Sequence, residues 1–330
     1  MLIRFLFLIG VVVISSVVAP AQTLRDAGVA AFKAGDYSQA IDNFKRAVKK
    51  DPADQTSWYL LGSSYLKKDK NKDAVKALET AVKLDPTNAK NVVGLAFAYF
   101  LTGNRKARAT AEQALKIDPD NPDAHYVLGK LDLLAERYDA ADSEASAIIS
   151  RDPKFASAYR IRGEALLGSF AAQSGTIIRP PASRSQLLAD ASEAFQKYLS
   201  LITDEQVRKQ VEVEIDTLKA FARYFARKKG DKDELTGKIR SPLELTSKPR
   251  AVYTDVARQN GVSGTILLLI TFQADGTIGA IMPIRRLGFG LDERAVNAAR
   301  QIKFKPAIDE NGVPVTLVKA VEYSFAIYYR

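Results

Sequence analysis

The sequence predicts a multidomain chain: an all-α solenoid of helix–turn–helix repeats, followed by a small α+β domain with a three-stranded antiparallel sheet. Two observations carry this. Four Asp-Pro pairs, Asp51-Pro52, Asp85-Pro86, Asp118-Pro119 and Asp152-Pro153, recur at spacings of 34, 33 and 34 residues, a period typical of stacked helical units. Beyond Gly230 the apolar period turns from helical to alternating, with two-residue turn signals at Asp275-Gly276 and Asn311-Gly312. A length of 330 residues, with 47% hydrophobic and 26% charged residues, suits roughly two folded domains.

The first 21 residues form a separate element. Arg4 precedes an apolar stretch from Phe5 to Val18, and Ala19-Pro20-Ala21 places small residues at the −3 and −1 positions of a signal-peptidase site. The apolar core of 14 residues is short of the about 20 that a membrane span needs. Residues 1–21 are therefore expected to be a cleaved secretory signal in preference to a retained anchor, and the chain an exported one.

Residues 22–229 carry the repeats. Aligned on the prolines, the second repeat reads Trp58, Leu61, Gly62, Tyr65, Ala74, Leu78, Ala81 and Pro86, and the third Val92, Leu95, Ala96, Tyr99, Ala107, Ala111, Ala114 and Pro119. The fourth has His125, Leu128, Gly129, Ala141, Ala145, Ile148 and Pro153; the first keeps Ala40, Phe44, Ala47 and Pro52. Apolar residues at i, i+3, i+4 and i+7 make one face of each helix. Small Gly62, Ala96 and Gly129 let paired helices approach, and stacked neighbours supply the core that one unit lacks. A fifth unit opens at Ala156 with Tyr159, Gly163 and Leu166. It is interrupted by a Gly-, Ser- and Pro-rich loop over 168–185, read as a tolerated insertion in preference to a partner-binding loop. The pattern resumes at Ala191, Phe195 and Tyr198. A last helix, opened by the capping-box spacing of Thr203-Asp204-Glu205-Gln206, closes the array near Lys229, with Phe221, Tyr224 and Phe225 expected to pack on the final repeat.

These motifs resemble the tetratricopeptide repeat. The resemblance implies peptide or protein binding along a concave face lined by the first helix of each unit. The positions it points to are Tyr59, Ser63, Phe97, Tyr126, Lys130, Arg160 and Glu164, each of which also fits an ordinary surface position. The lone histidine, His125, falls on a repeat core position and is read as a packing residue.

Residues 230–247 are polar, broken by Gly237 and Pro242, and read as a linker. The final domain, 248–330, then runs as a short helix over Tyr253–Asn260 and strands over Gly264–Gln273 and Thr277–Arg286. A helix over Leu291–Ile302 and a long strand over Val313–Tyr329 follow. Its run of Lys248-Pro249, Tyr253, Ala257-Arg258, Gly261-Val262, Gly264, Asp275-Gly276 and Gly290-Leu291-Asp292 is similar to the C-terminal domain of TonB-family proteins. So is its continuation through Ala295, Ala298, Phe304, Pro306-Ala307, Gly312 and Pro314-Val315. Two departures are Thr254, where many members have proline, and Arg285-Arg286-Leu287, where small serines are common.

That resemblance implies a periplasmic location and a domain that takes a short peptide from an outer-membrane transporter plug by strand addition, since an open sheet edge is a template of unpaired N–H and C=O groups. The last strand would supply the edge, through Val315, Thr316, Leu317, Val318, Lys319, Val321, Glu322, Tyr323 and Phe325, with Leu317, Val321, Tyr323 and Phe325 expected in the core. The alternative is an edge paired with a second copy, giving a homodimer. Full energy transducers of this family also carry an uncleaved membrane helix with a serine and a histidine that meets the ExbB–ExbD motor. Residues 1–21 hold no histidine, so that partner, and tethering to the inner membrane, are expected only if the N-terminus is retained. The sequence thus suggests an adaptor whose repeats recruit a second protein, against a scaffold whose last domain only dimerises or docks.

Composition argues against an enzyme. There is no cysteine, so thiol nucleophiles, thiolate metal sites and disulfides are excluded, and a single histidine makes most acid–base dyads unavailable. Gly288-Phe289-Gly290 before a helix is a poor dinucleotide loop, because Asp292 and Glu293 would sit where a pyrophosphate belongs. The net charge of +10 is scattered over helical faces, which suits a solvated surface and gives no nucleic-acid patch. No metal or cofactor is expected.

Overall fold

The computed structural model describes residues 20–172, 176–177, 182–225 and 239–326. The predicted signal lies outside the described residues apart from Pro20 and Ala21, and the first part of the predicted linker also lies outside them; the loop predicted over 168–185 is shorter than expected, since helix continues to Ala172 and resumes at Ala182. Among the described residues no helix is long and apolar enough to cross a membrane. The chain divides into two compact units, Met1–Leu101 and Thr102–Arg330.

The described residues of the first unit form five helices: α1 (Pro20–Lys33), α2 (Tyr37–Lys50), α3 (Gln55–Lys67), α4 (Asn71–Leu84) and α5 (Ala89–Leu101). Its helix starts and stops follow from the Asp-Pro period. The residue before a proline is pushed out of the α region, and Asp51 and Asp85 leave their helices at φ −132° and −142°. Each still donates its N–H to the carbonyl four residues back, and each carboxylate then accepts the N–H of the residue two ahead, Ala53 or Thr87. Asp36 and Asp54 cap the starts of α2 and α3 by accepting the N–H of Gln39 and Ser57. Gly62 faces Leu78 so closely that a Cβ there would lie 2.5 Å from Leu78 Cγ; only glycine permits this approach of α3 to α4.

In the second unit α6 (Ala107–Ile117), α7 (Pro122–Leu134), α8 (Tyr138–Arg151), α9 (Ala156–Ala172), α10 (Ala182–Leu201) and α11 (Glu205–Phe225) continue the helical pattern. Asp118 and Asp152 end α6 and α8 as their counterparts do in the first unit. Between α9 and α10 lies a two-residue strand, β1 (Thr176–Ile177). The C-terminal part comprises β2 (Ile239–Ser241), β3 (Glu244–Ser247), α12 (Asp255–Gln259), β4 (Gly264–Phe272), β5 (Ile278–Arg285), α13 (Leu291–Ala299), β6 (Lys303–Lys305), β7 (Ala307–Asp309), β8 (Pro314–Val315) and β9 (Leu317–Phe325).

The three expected antiparallel strands are β5, β4 and β9, and β1 adds a fourth on the outer side of β9, giving the order β1-β9-β4-β5. The pairing of β4 with β9 runs unbroken from Gly264↔Phe325 to Phe272↔Leu317. Two readings of the sequence are revised. The stretch taken as linker is paired over its second half: β2 joins β7 and β3 joins β6, because Ile239, Leu243 and Leu245 pack against the domain's core. The closing strand is not continuous from Val313 but breaks at Thr316, whose hydroxyl accepts the Ala274 N–H.

Both faces of the main sheet are covered. On one, Ile266, Leu268, Ile270, Phe272, Val321, Tyr323 and Phe325 meet Leu291, Ala295 and Ala298 of α13 and Ala257 of α12. On the other, Leu269, Met282, Ile284 and Val318 join Leu167 and Phe170 of α9, Phe195 of α10 and Leu218 of α11 in one core. The last repeat and the C-terminal sheet therefore share their interior.

Candidate peptide-binding edge and repeat groove

In an antiparallel ladder, alternate residues turn their backbone groups to opposite sides. Pro283 of β5 stands opposite Leu268 of β4, and Leu268 stands opposite Val321 of β9. Proline has no N–H to give, so the Leu268 backbone groups serve Val321, and the odd-numbered residues of β9 face β4. The even-numbered residues Val318, Ala320, Glu322 and Ser324 accordingly present their N–H and C=O groups outward. The Glu322 carbonyl agrees with this parity: it accepts a hydrogen bond from Lys248 Nζ at 2.7 Å, and the same ammonium lies 5.1 Å from the centre of the Tyr323 ring. Among the described residues, β1 is the only strand on that side, pairing Thr176 with Lys319 and Ile177 with Val318. The opposite edge of the sheet, β5, carries Pro283, which removes a donor from any strand added there.

The side chains predicted for the edge divide by face. Val315, Thr316, Leu317, Val318, Val321, Tyr323 and Phe325 are buried, Lys319 is half-buried and Glu322 exposed. The four residues expected in the core are there; Val318 is buried as well, on the face turned to α9–α11. Burial pushes the Tyr323 hydroxyl up to about 12. What an incoming strand meets is therefore mostly backbone, with Lys319, Glu322 and Ser324 beside it.

The predicted groove residues fall in two places. Tyr59, Ser63 and Phe97 are half-buried on α3 and α5 of the first unit, where the Tyr59 ring packs beside Gly94 and Phe97 lies 6.3 Å from Phe100. Tyr126, Lys130, Arg160 and Glu164 belong to the second unit, on α7 and α9, where Tyr126 is half-buried beside Phe155. Lys130, Arg160 and Glu164 form an ion cluster with two residues that sequence reasoning missed, Glu214 of α11 and Arg286. Arg160 Nε donates to Glu164 Oε1 at 2.7 Å and its Nη1 to Glu214 Oε2 at 2.7 Å. Arg286 Nη2 donates to Glu214 Oε1 at 2.8 Å, its Nε lies 3.6 Å from Glu164, and Lys130 Nζ lies 3.5 Å from Glu164. Glu164 is only 7% exposed. Burial alone would raise its pKa, but Lys130, Arg160 and Arg286 together hold it at about 2. This part of the groove is engaged by the chain's own C-terminal sheet.

Arg285 and Arg286 are the positions that depart from the TonB-like pattern, and that departure was the available signal. Both side chains reach the helical repeats: Arg286 as above, and Arg285 through Glu136, in the turn between α7 and α8. Other singled-out residues serve structure. His125 sits between Glu144 Oε2 at 2.6 Å and the Pro119 carbonyl at 3.0 Å, and the Glu144 bond raises its pKa. At Gly288-Phe289-Gly290, all three residues have positive φ, and the Asp292 carboxylate accepts the N–H groups of Leu287 and Gly288. The anion position of that turn is filled by the chain itself.

Comparisons agree with this architecture. Residues 25–89 and 104–164 match models described as tetratricopeptide repeat, and residues 249–327 match the model described as Gram-negative bacterial TonB protein C-terminal. Similar curated proteins include the Protein STIP1 homolog of Dictyostelium discoideum, 33% identical over 31% of this chain and 18% of its own length. The cytochrome c-type biogenesis protein CycH of Pseudomonas aeruginosa is 31% identical over 28% of this chain and 24% of its own length. The chain thus spans about a fifth of the length of these relatives. Among solved structures, PilW, a type IV pilus biogenesis factor, matches with a TM-score of 0.51 and 18% identity, over 62% of this chain and 88% of its own, which shows a shared helical-repeat fold.

Proposed function

We propose that this chain, which carries tetratricopeptide repeats and a TonB C-terminal domain, is a periplasmic adaptor: β9 takes an extended peptide from an outer-membrane transporter plug, and the repeats recruit a second protein. The observation that carries this reading is the outward row of backbone groups at Ala320, Glu322 and Ser324, on a sheet whose other edge is blunted by Pro283. Main-chain hydrogen bonds give such a complex its affinity, and the flanking Lys319 and Glu322 give it charge selectivity. Since Lys130, Arg160 and Glu164 are engaged internally, the second partner is assigned to the first unit, beside Tyr59, Ser63 and Phe97. Coupling to the ExbB–ExbD motor is not part of the proposal, because residues 1–21 contain no histidine.

The test is a titration of the full chain with synthetic N-terminal plug peptides of the host's transporters. Saturable binding, weakened at least tenfold by Ala320→Pro, supports strand addition: that proline removes one outward N–H without touching the β4 ladder. If no plug peptide binds and the chain is a tight dimer, the edge serves self-association and the scaffold reading replaces this one.

A further inference from the structure

The strand that pairs with the outer side of β9 is part of the same chain. β1 lies antiparallel to β9 with Thr176 opposite Lys319 and Ile177 opposite Val318, at the start of the outward row that an incoming peptide would use. Its placement follows from the packing. α9 and α10, which flank the insertion, share one core with Val318 and the rest of that sheet face, so the chain leaving α9 at Ala172 emerges beside β9. Thr176 follows Ala172 by four positions in the sequence. The local sequence suits the role. Thr176, Ile177 and Ile178 are the only consecutive β-branched residues in a stretch otherwise rich in Gly, Ser and Pro.

We infer that Thr176–Ile177 is a resident strand that occupies the peptide-binding edge of β9 in the unliganded chain, and that an incoming peptide must displace it. This rests on the strand-addition reading and adds its regulation. The segment is tethered, so its effective concentration at the edge is in the millimolar range and a weak ladder suffices to hold it. The ladder is also short. A peptide that continues along Ala320, Glu322 and Ser324 makes more main-chain hydrogen bonds than β1 does, and wins once it is engaged. Lys248, which takes the Glu322 carbonyl, is a second group the longer peptide displaces. The arrangement shields the edge from other strands and raises the threshold for short or poorly matched ones.

The chain has no cysteine, so occupancy can be read directly by a pair introduced into the full chain. Thr176→Cys with Lys319→Cys should form a disulfide under mild oxidation at least ten times faster than Thr176→Cys with Ser324→Cys; equal rates overturn the inference. The consequence for binding is read with Ile177→Pro, which removes the β1 N–H opposite Val318 and lies outside every helix. A labelled peptide of residues 173–179, QSGTIIR, and the plug peptides should each bind this variant about tenfold (~1.4 kcal/mol) more tightly than the parent chain. Equal affinity for both chains overturns the inference while leaving strand addition intact. A fast crosslink combined with no plug-peptide binding to Ile177→Pro would do the reverse: β1 would stand as a fourth strand, and the peptide-binding reading would fall.

Discussion

Glu164 shows how a groove position becomes an internal anchor. Three cations, Lys130, Arg160 and Arg286, converge on Glu164 and Glu214. Removing one carboxylate leaves buried positive charge without compensation, which is costly compared with any gain from a surface pair. Glu164→Gln is expected to lower unfolding stability by about 3 kcal/mol, measured by urea titration at neutral pH. The pH dependence has a definite sign. The folded pKa, about 2, lies below the ordinary glutamate value of 4.5, so between these values the unfolded chain binds more protons. The stabilisation is complete above pH 4.5 and is lost as pH falls towards 2. Thermal scans should therefore show a steeper acid decline for the parent chain than for Glu164→Gln. Parallel slopes would mean that the cluster does not hold the carboxylate ionised.

At the scale of the element, each repeat depends on close helix–helix approach. Gly62→Val places a side chain against Leu78, which is fully buried and would have to shift. The expected loss is about 2 kcal/mol, seen as a lower Tm; an unchanged Tm would show that α3 and α4 can separate without cost. The repeats were legible because their signals are local: Asp-Pro ends a helix, and a small residue marks a contact one helix away. The hairpin at Asp275-Gly276 and the helix at Leu291 were legible for the same reason. Short strands in polar sequence were not. In 239–247 only Ile239, Leu243 and Leu245 turn inward, and the strand partners of Ile239 and Leu245 are as distant in sequence as Asp309 and Phe304.

At the scale of the whole second unit, the main finding is that the last repeat and the C-terminal sheet share one core. Sequence reasoning identified both parts but not their docking, because the contacts join residues more than a hundred positions apart, such as Glu136 with Arg285. One hint was present. Ile266-Leu267-Leu268-Leu269-Ile270 is too uniformly apolar for a strand with one wet face and suits one covered on both. Arg285 and Arg286 were a second, where the TonB-like pattern has small residues. The last strand of the sheet and its core-facing side chains were legible in sequence. Its occupation by Thr176–Ile177 was not, since two residues of a long loop carry no signal of where they pair.

Strand addition on the outward side of β9 leaves a backbone signature. Amide hydrogen exchange on the full chain, with and without saturating plug peptide, tests it residue by residue. Bound peptide should slow exchange at Ala320, Glu322 and Ser324 by at least tenfold while Val321 and Tyr323, which face β4, change little. Protection that appears instead around Tyr59 and Phe97, with no change along β9, would contradict it and assign the peptide to the repeats.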